Sequence, residues 1–347
     1  MAGIQTAAGV APAAGTENSI STEGDARRAR VDVHHHYTAP EWIEWAEAKG
    51  IAHRQALPPW TRWDVDTALS VMDRAGISTS VLTVAMLGRL QDPKTRKESA
   101  RVALGAAGDL VKSHPDRFAF YAPVFLDSPD LTTWSLSHGM DELGAIGASV
   151  RTSANGTYLG DPSHDRILTE LNSRSAVVST HPMDIPRGNM ALQGVPPFLC
   201  DFLMDTTRAA INLILNGTLD RYPDLTFILP HGGGFLPYIA SRVELFGGHL
   251  TPKVDSARVR DYLHRFYYDT AGPMSPAATP TLLSVVDSSR ILYGSDWPPT
   301  PSHLVTDVTA PALDEDPALD EDQRRRINRD NAHRLLPALT AGLPRHA

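Results

Sequence analysis

Short apolar segments alternate with helical segments along most of the chain, and this alternation constrains the fold more than any other feature. The apolar segments are rich in β-branched and aromatic residues, which is typical of buried strands. The predicted strands are residues 31–37, 80–86, 118–125, 148–151, 176–180, 226–229, 266–268 and 291–293. Such strands, separated by helices, indicate a parallel sheet covered on both faces. Their number favours closure, so the sequence predicts an α/β fold, a (β/α)8 TIM barrel.

Helical periodicity follows most of these strands and closes the chain. The predicted helices are residues 40–50, 64–75, 94–113, 131–143, 162–174, 206–216, 236–246, 276–286, 320–329 and 331–336. We therefore predict one TIM-barrel domain over residues 30–340. Residues 1–29 are rich in small and polar residues and have no sustained periodicity, so we predict a disordered N-terminal tail there.

Composition excludes several classes of function. The formal net charge is −8, from 32 basic and 40 acidic residues, which argues against a nucleic-acid partner. No apolar run approaches the roughly 18 to 20 residues needed to cross a bilayer, so no membrane partner is expected. The single cysteine, Cys200, cannot form an intrachain disulfide and is compatible with a cytoplasmic location. Its neighbours offer no obvious base, so we interpret it as a small apolar residue.

The first predicted strand carries three consecutive histidines. Side chains alternate along a strand, so Asp32, His34 and His36 are expected to share one face. Two imidazoles two residues apart can bind one metal ion, with Asp32 as a supporting partner. His35 points to the opposite face and is interpreted as a packing or surface residue. The alternative is a chance histidine run or the remnant of an affinity tag.

Further ionisable residues follow other strands at their carboxyl ends, where the active site of a TIM barrel lies. They are His181 after residues 176–180, His231 after residues 226–229, and Asp296 after residues 291–293. Each one alone is more typical of a cap, a core or a turn residue. Together with the first strand they bring imidazole and carboxylate to one rim, a combination that suits Zn²⁺, Mn²⁺ or Fe²⁺.

These motifs resemble one branch of the amidohydrolase superfamily. The branch contains the aminocarboxymuconate semialdehyde decarboxylase and the 6-methylsalicylate decarboxylase-like enzymes. The matching motifs, in family order, are Asp-Val-His-His-His from Asp32, Thr-His-Pro-Met-Asp around His181, Pro-His-Gly-Gly-Gly-Phe-Leu-Pro around His231, and Tyr-Gly-Ser-Asp-Trp-Pro around Asp296. The resemblance spans roughly residues 30–335 and implies a metal-dependent, hydrolase-like barrel.

The resemblance also implies roles for individual residues. It implies His34, His36, His181 and Asp296 as ligands of one divalent metal. Zn²⁺ is favoured, and Mn²⁺ is the alternative. The resemblance makes His231 an acid/base beside the metal. It matches Arg242 to an arginine that family dimers place near a substrate carboxylate, so a homodimer is expected. No lysine after the fourth strand matches the carboxylated lysine of binuclear members, which favours one metal.

A loop rich in proline and tryptophan follows the histidine strand. Its Trp60, Arg62 and Trp63 are candidates for binding a flat anionic ligand, with Trp297 and Arg242 from later in the chain. The alternative is a loop anchored by burial of its apolar side chains.

The favoured function is that of a carbon–carbon lyase, the non-oxidative decarboxylation of a small aromatic or unsaturated carboxylic acid, with a salicylate-type hydroxybenzoate favoured. Either His231 or Asp296 would donate the proton, although metal binding lowers the pKa of a carboxylate. The alternative is hydrolysis of a lactone or amide by a metal-bound hydroxide. Hydration of an unsaturated diacid and a barrel that binds without catalysis remain further alternatives.

Overall fold

The barrel strands occur where the sequence places them. The structure is a computed structural model and describes residues 30–87, 90–182, 194–250 and 253–340. The predicted tail, residues 1–29, lies outside the described residues. The strands are β1 (Arg30–Tyr37), β2 (Ile77–Val84), β3 (Phe118–Val124), β4 (Gly147–Arg151), β5 (Val177–His181), β6 (Thr226–Leu229), β7 (Tyr267–Asp269) and β8 (Ile291–Leu292).

These strands form one eight-stranded sheet in chain order, and neighbouring strands along it pair in parallel. The sheet closes between its last and first strands through backbone hydrogen bonds. Val33 N donates to Tyr293 O at 3.0 Å, Asp296 N donates to His34 O at 2.9 Å, and His36 N donates to Trp297 O at 2.7 Å. The predicted (β/α)8 TIM barrel is therefore confirmed. This seam also holds Asp296 directly beside the histidine strand.

Helices cover the outside of the barrel. They are α1 (Pro40–Ala48), α2 (Val65–Arg74), α3 (Pro93–Ser113), α4 (Pro129–Leu136), α5 (Asp165–Ser173), α6 (Asp201–Leu215), α7 (Thr218–Arg221), α8 (Leu236–Gly247), α9 (Ser256–Arg265), α10 (Ala278–Leu283), α11 (Ser302–Leu304), α12 (Ala310–Asp314), α13 (Glu321–Arg325) and α14 (Asn331–Leu335). Short π-helical turns continue α4, α11 and α13. None of the helices among the described residues is long and apolar enough to cross a membrane.

Four helices and a small hairpin lie outside the predicted elements: α7, α9, α11, α12 and the hairpin of Ser153–Ala154 with Thr157–Tyr158. In α9 only Val259, Tyr262 and Leu263 are buried, and the other positions are mostly charged or polar. Its start is set by Asp255, whose side chain accepts a hydrogen bond from Ala257 N. A narrow apolar stripe within a polar segment is a weak periodic signal.

Two apolar clusters separate the inside of the barrel from its outer layer. The inner cluster contains side chains from seven strands. Ala332 in α14 and Leu336 pack against them, so the C-terminal helix covers one end of the barrel. The buried strand residues of the inner cluster are Val31, Val33, Val81, Ala119, Tyr121, Val177, Ile228, Tyr267 and Leu292. The larger cluster joins the outward strand faces to the helices. Because α14 packs against this end of the barrel, the ionisable residues at the opposite, carboxyl ends of the strands remain free to form a site.

Candidate metal centre and active site

Four predicted site residues converge at the carboxyl ends of the strands. His34, His36, His181 and Asp296 each offer a ligand atom, and these atoms all lie within 4.8 Å of one another. His34 Nε2 lies 3.2 Å from His36 Nε2 and 3.3 Å from Asp296 Oδ1. His36 Nε2 lies 3.0 Å from the same carboxylate oxygen. The barrel therefore brings together side chains that are up to 262 positions apart in sequence, from His34 to Asp296.

The donor set fits a divalent metal. The Nε2 atoms of His34 and His36 lie next to a carboxylate oxygen of Asp296. A ring nitrogen of His181 lies within 4.8 Å of the other three ligand atoms. Imidazole and carboxylate are ligands for Zn²⁺ and Mn²⁺, and a set of four protein ligands can leave a position for substrate at a five-coordinate metal. The structure supports one divalent metal per chain at this point.

The environment keeps two of these histidines in the form that binds metal. Burial lowers the pKa of His36, against the opposing effect of Asp296. Burial lowers the pKa of His181 further below its ordinary value, and the neighbouring imidazoles of His36 and His34 add to this effect. A histidine ligates through a neutral ring, so both residues are poised as ligands near neutral pH.

The carboxylate of Asp296 is held in its charged form. Burial by itself would raise its pKa, but the charge of His34 and hydrogen bonds from His231, His34 and His36 hold the pKa well below its usual range. The pKa of His34 is shifted in the opposite direction. Burial lowers its pKa, while the carboxylates of Asp269 and Asp296 together raise it well above its ordinary value. A carboxylate held ionised at this position is suited to ligation rather than to proton donation.

A bulge in β1 changes the predicted facing of Asp32. Asp32 pairs with Ser80 and His35 pairs with Leu82, so two β1 residues stand opposite one residue of β2. Simple alternation therefore fails, and Asp32 does not support a metal-facing imidazole. Its Oδ1 instead accepts hydrogen bonds from His34 N at 3.0 Å and Ser295 N at 2.9 Å. Asp32 thus ties the backbone of the histidine strand to the turn that carries Asp296.

Asp269, at the end of β7, is a site residue that the sequence analysis missed. Its Oδ2 lies 2.8 Å from His34 Nδ1, and its Oδ1 accepts hydrogen bonds from His231 N at 2.8 Å and Ala271 N at 3.0 Å. The rule that selected His181 and Asp296 also applies here, because Asp269 stands at the carboxyl end of a strand. The signal was overlooked because the predicted strand stopped one residue early.

His231 lies on a turn of unusual backbone conformation. The φ values of His231, Gly232, Gly233 and Gly234 are 55°, 63°, 79° and 65°. This turn places His231 Nε2 3.6 Å from Asp296 Oδ2, beside the cluster. A Cβ at Gly234 would overlap the carbonyl oxygen of Leu203 in α6. Close packing of the turn against α6 therefore requires glycine at position 234, and a Cβ at Gly233 would likewise overlap the ring of Tyr268.

Replacing Gly234 by alanine is expected to lower the free energy of unfolding by about 3 kcal/mol, because the residue combines positive φ with a backbone clash. Gly50→Ala is the matched control. Gly50 also has positive φ, 67°, but a Cβ there meets no atom within 4 Å. Its expected loss is about 1 kcal/mol. Denaturant unfolding measures both, and equal losses would contradict the packing explanation.

Trp63 and Trp297 lie behind the histidine strand. Both are buried, and their rings lie 6.4 Å and 4.9 Å from the ring of His35. Trp63 Nε1 donates to His35 Nε2 at 3.2 Å, and Trp297 Nε1 donates to Ser302 Oγ at 3.0 Å. His35 is thus a packing residue. This placement favours a packing role for the two tryptophans over the predicted contact with substrate.

Two other aromatic residues have their rings beside proposed ligands. The ring of Trp60 is 6.0 Å from that of His36, and the ring of Phe202 in α6 is 6.2 Å from that of His181. The two predicted arginines are exposed. Arg62 lies on the loop beside Trp60, and Arg242 lies on α8 with its guanidinium 5.1 Å from the ring centre of Phe246. Substrate binding by either arginine stays a prediction.

Residues 31–338 match the model of the amidohydrolase family, so the chain belongs to that family. It is 30% identical to the decarboxylase yanB of Aspergillus niger, over 89% of this chain and 87% of that protein. It is 29% identical to the 6-methylsalicylic acid decarboxylase acuB of Aspergillus aculeatus, over 89% and 96%.

A solved structure agrees with these relatives. The crystal structure of a 2,6-dihydroxybenzoate decarboxylase in complex with 2,6-dihydroxybenzoate matches 89% of this chain and 99% of that chain. The TM-score is 0.74 and the sequence identity is 25%. The resemblance that the motifs indicated, to the decarboxylase branch of the amidohydrolases, is confirmed.

Proposed function

We propose that this chain is a metal-dependent, non-oxidative decarboxylase of a small aromatic carboxylic acid, with a salicylate-type hydroxybenzoate favoured. The observation that carries the proposal is the cluster of three imidazoles and one carboxylate with His231 beside it. The named relatives support this reaction, since two of them are decarboxylases that match 89% of the chain. The same cluster suits hydrolysis, but none of the relatives described above is named a hydrolase.

The exposure of the cluster indicates where substrate enters. The side chain of His34 is 3% exposed, whereas those of His231 and Asp296 are 13% and 18% exposed. A substrate therefore meets His231 and Asp296 first, at the open edge of the site. The aromatic rings of Trp60 and Phe202 lie near the same rim and would line the position of a flat ring.

The residues define a route for the proton. A bound divalent metal would supply Lewis acidity that holds a carboxylate and an adjacent hydroxyl group. His231 Nε2, which lies 3.6 Å from Asp296 Oδ2, would give its proton to the ring carbon that carries the carboxylate. The bond between that carbon and the carboxylate then breaks, its electron pair restores the aromatic ring, and carbon dioxide leaves. His231 regains a proton from solvent.

We assign the proton donor to His231 rather than to Asp296. The pKa of Asp296 is held well below its usual range, chiefly by His34 and by hydrogen bonds from three histidines against the effect of burial. A carboxyl group with such a pKa is ionised near neutral pH and has no proton to give. Asp296 would remain a ligand and would hold His231 in place through the contact of 3.6 Å.

The finer assignments are part of the same proposal. The proposed metal is Zn²⁺, with Mn²⁺ as the alternative. Arg62 or Arg242 would bind the substrate carboxylate. We propose a homodimer in the cytoplasm. The face of α8 that carries Arg242 also exposes Tyr238, Leu245 and Phe246, an apolar surface that suits a second copy of the chain.

Carbon dioxide release from 2,6-dihydroxybenzoate and 6-methylsalicylate tests the reaction. We expect release to require Zn²⁺ or Mn²⁺ and to stop when a chelator removes the metal. In deuterated water each turnover should place one deuterium on the ring carbon that loses the carboxylate. Mass spectrometry of the product measures this incorporation.

A control tests the need for the ortho hydroxyl group, and a labelling experiment separates decarboxylation from hydrolysis. Benzoate analogues without the ortho hydroxyl should not turn over, because they offer one fewer group to the metal. A metal-loaded chain that releases no carbon dioxide from any ortho-hydroxybenzoate, but incorporates ¹⁸O from labelled water into a lactone or amide product, would support the hydrolase instead.

A further inference from the structure

One buried carboxylate contacts both a proposed metal ligand, His34, and the proposed proton donor, His231. Asp269, which is 1% exposed, places Oδ2 at 2.8 Å from His34 Nδ1. Its other oxygen, Oδ1, accepts hydrogen bonds from the backbone N–H groups of His231 and Ala271. Gly294 leaves the room for this arrangement, because a Cβ there would lie 3.2 Å from Asp269 Cβ. Asp269 therefore connects a proposed metal ligand to the backbone of the proposed proton donor.

We propose that Asp269 is a positioning residue that sets the tautomer of His34 for metal binding and fixes the backbone of His231. This inference rests on the proposed metal site and goes beyond it by assigning a function to a residue that is not a ligand. Carboxylates that accept from the second nitrogen of a ligating histidine orient the ring and raise its basicity.

The hydrogen-bonding chemistry of the carboxylate carries the argument. An ionised carboxylate has acceptors and no donor, so the 2.8 Å contact requires a proton on His34 Nδ1. When a metal binds and displaces the proton from the other nitrogen, Nε2, that atom supplies the ligating lone pair while Nδ1 keeps its proton. This atom is the one that faces His36 Nε2 at 3.2 Å and Asp296 Oδ1 at 3.3 Å. The lone pair is thus directed at the position where the ligands converge.

Asparagine at this position would reverse the tautomer while preserving the shape of the side chain. Its carbonyl oxygen can keep both backbone N–H bonds, from His231 and Ala271, which places its NH₂ group against His34 Nδ1. That nitrogen must then accept, and the proton moves to Nε2, where it blocks metal binding. The opposite rotamer would set the NH₂ group against two backbone donors, which is unfavourable.

This reasoning predicts an unusual order of metal affinities. We expect Asp269→Asn to weaken Zn²⁺ binding by about 10- to 100-fold relative to the wild-type chain. Asp269→Ala should bind Zn²⁺ at least as tightly as Asp269→Asn, because alanine leaves His34 free to take either tautomer. Competition with a chromophoric chelator measures the dissociation constants of the full-length proteins. The d–d spectrum of the Co²⁺-loaded chain should change in Asp269→Asn if His34 leaves the metal.

A structural role alone predicts the reverse order, since asparagine preserves more packing and more hydrogen bonds than alanine does. Asp269→Asn binding more tightly than Asp269→Ala, or as tightly as the wild-type chain, overturns the proposal. A wild-type chain that binds neither Zn²⁺ nor Mn²⁺ overturns the proposed function as well. The two failures are therefore distinguishable.

Asp32→Asn is the matched control. Asp32 is as deeply buried as Asp269, but its hydrogen bonds come from His34 N, Ser295 N and Ser295 Oγ, and none comes from a metal-facing imidazole. Its substitution removes the same charge from the same part of the barrel. We expect a smaller loss of Zn²⁺ affinity than in Asp269→Asn. An equal or larger loss would mean that buried charge rather than the tautomer of His34 controls affinity, which overturns the proposal.

A measurement on the unaltered chain tests the proposal even if the variants do not fold. Long-range ¹H–¹⁵N spectra of the Zn²⁺-loaded, histidine-labelled protein report which ring nitrogen carries a proton. The signals of His34 are assigned by their absence in His34→Gln. We expect His34 to be protonated at Nδ1, in a hydrogen bond that retards proton exchange. Protonation at Nε2 overturns the proposal.

Discussion

His181→Ala is expected to remove the bound metal and the decarboxylase activity together. The wild-type chain should hold about one divalent metal, and the variant should hold close to none. His181 supplies an imidazole to the cluster from β5, and burial keeps its pKa low enough for the neutral, ligating form. Losing it removes one of the four ligands and leaves an open position, so the remaining two imidazoles and one carboxylate should bind the ion more weakly and lose it on dialysis. Elemental analysis of dialysed protein gives the metal content, and carbon dioxide release gives the activity.

The matched control for this prediction is His164→Ala. His164 is also buried and its pKa is also lowered by burial, but it lies at the start of α5, away from the cluster. This variant should lose some stability and keep its metal. Full metal content in His181→Ala would remove His181 from the ligand set. No metal in the wild-type chain, and no activity when Zn²⁺ or Mn²⁺ is added, would remove the basis of both the decarboxylase and the hydrolase.

His231→Asn is expected to lower kcat by about 10² to 10⁴-fold while the metal content stays near that of the wild-type chain. The imidazole of His231 is the proposed proton donor and is not among the four ligands. Asparagine suits this test because it tolerates positive φ, and the φ of His231 is 55°. The turn should therefore keep its shape while the acidic ring N–H of the imidazole is lost.

A separate readout distinguishes proton donation from substrate binding. If His231 only bound the substrate, KM would rise while kcat stayed near the wild-type value. In the proposed role kcat falls, and the remaining turnover should still place deuterium on the same ring carbon. Turnover by His231→Asn at the wild-type rate would show that the acid is another group, and Asp296 would then be the first to examine.

The two variants also separate the roles of neighbouring histidines. The rings of His181 and His231 lie 6.1 Å apart and both border the cluster. We expect one substitution to act through metal content and the other through the chemical step at full metal content. That contrast depends on the structure, because the sequence presents both residues in the same way, as a histidine after a buried strand.

The sequence by itself determined the barrel and most of its rim. Near-continuous apolar segments and helical stripes are local signals, so the eight strands lie within a few residues of their predicted positions. The carboxyl-end rule then selected His34, His36, His181, His231 and Asp296 without any coordinates. The barrel is confirmed, and the structure brings these five residues together because parallel strands bring their carboxyl ends to one side; their roles stay predictions.

Only the tertiary structure decided which way several of these side chains face. The bulge in β1 turned Asp32 from the metal-facing imidazoles to the backbone of His34 and Ser295, and a strict period of two cannot reveal an inserted residue. Trp63 and Trp297 pack around His35 on the outer face of β1, away from the proposed metal ligands. Asp269 joined the site through contacts with His34 and His231, more than thirty positions away along the chain. Hydrogen bonds between distant segments leave no periodic trace in a sequence, so the support of the metal site became visible only in the folded barrel.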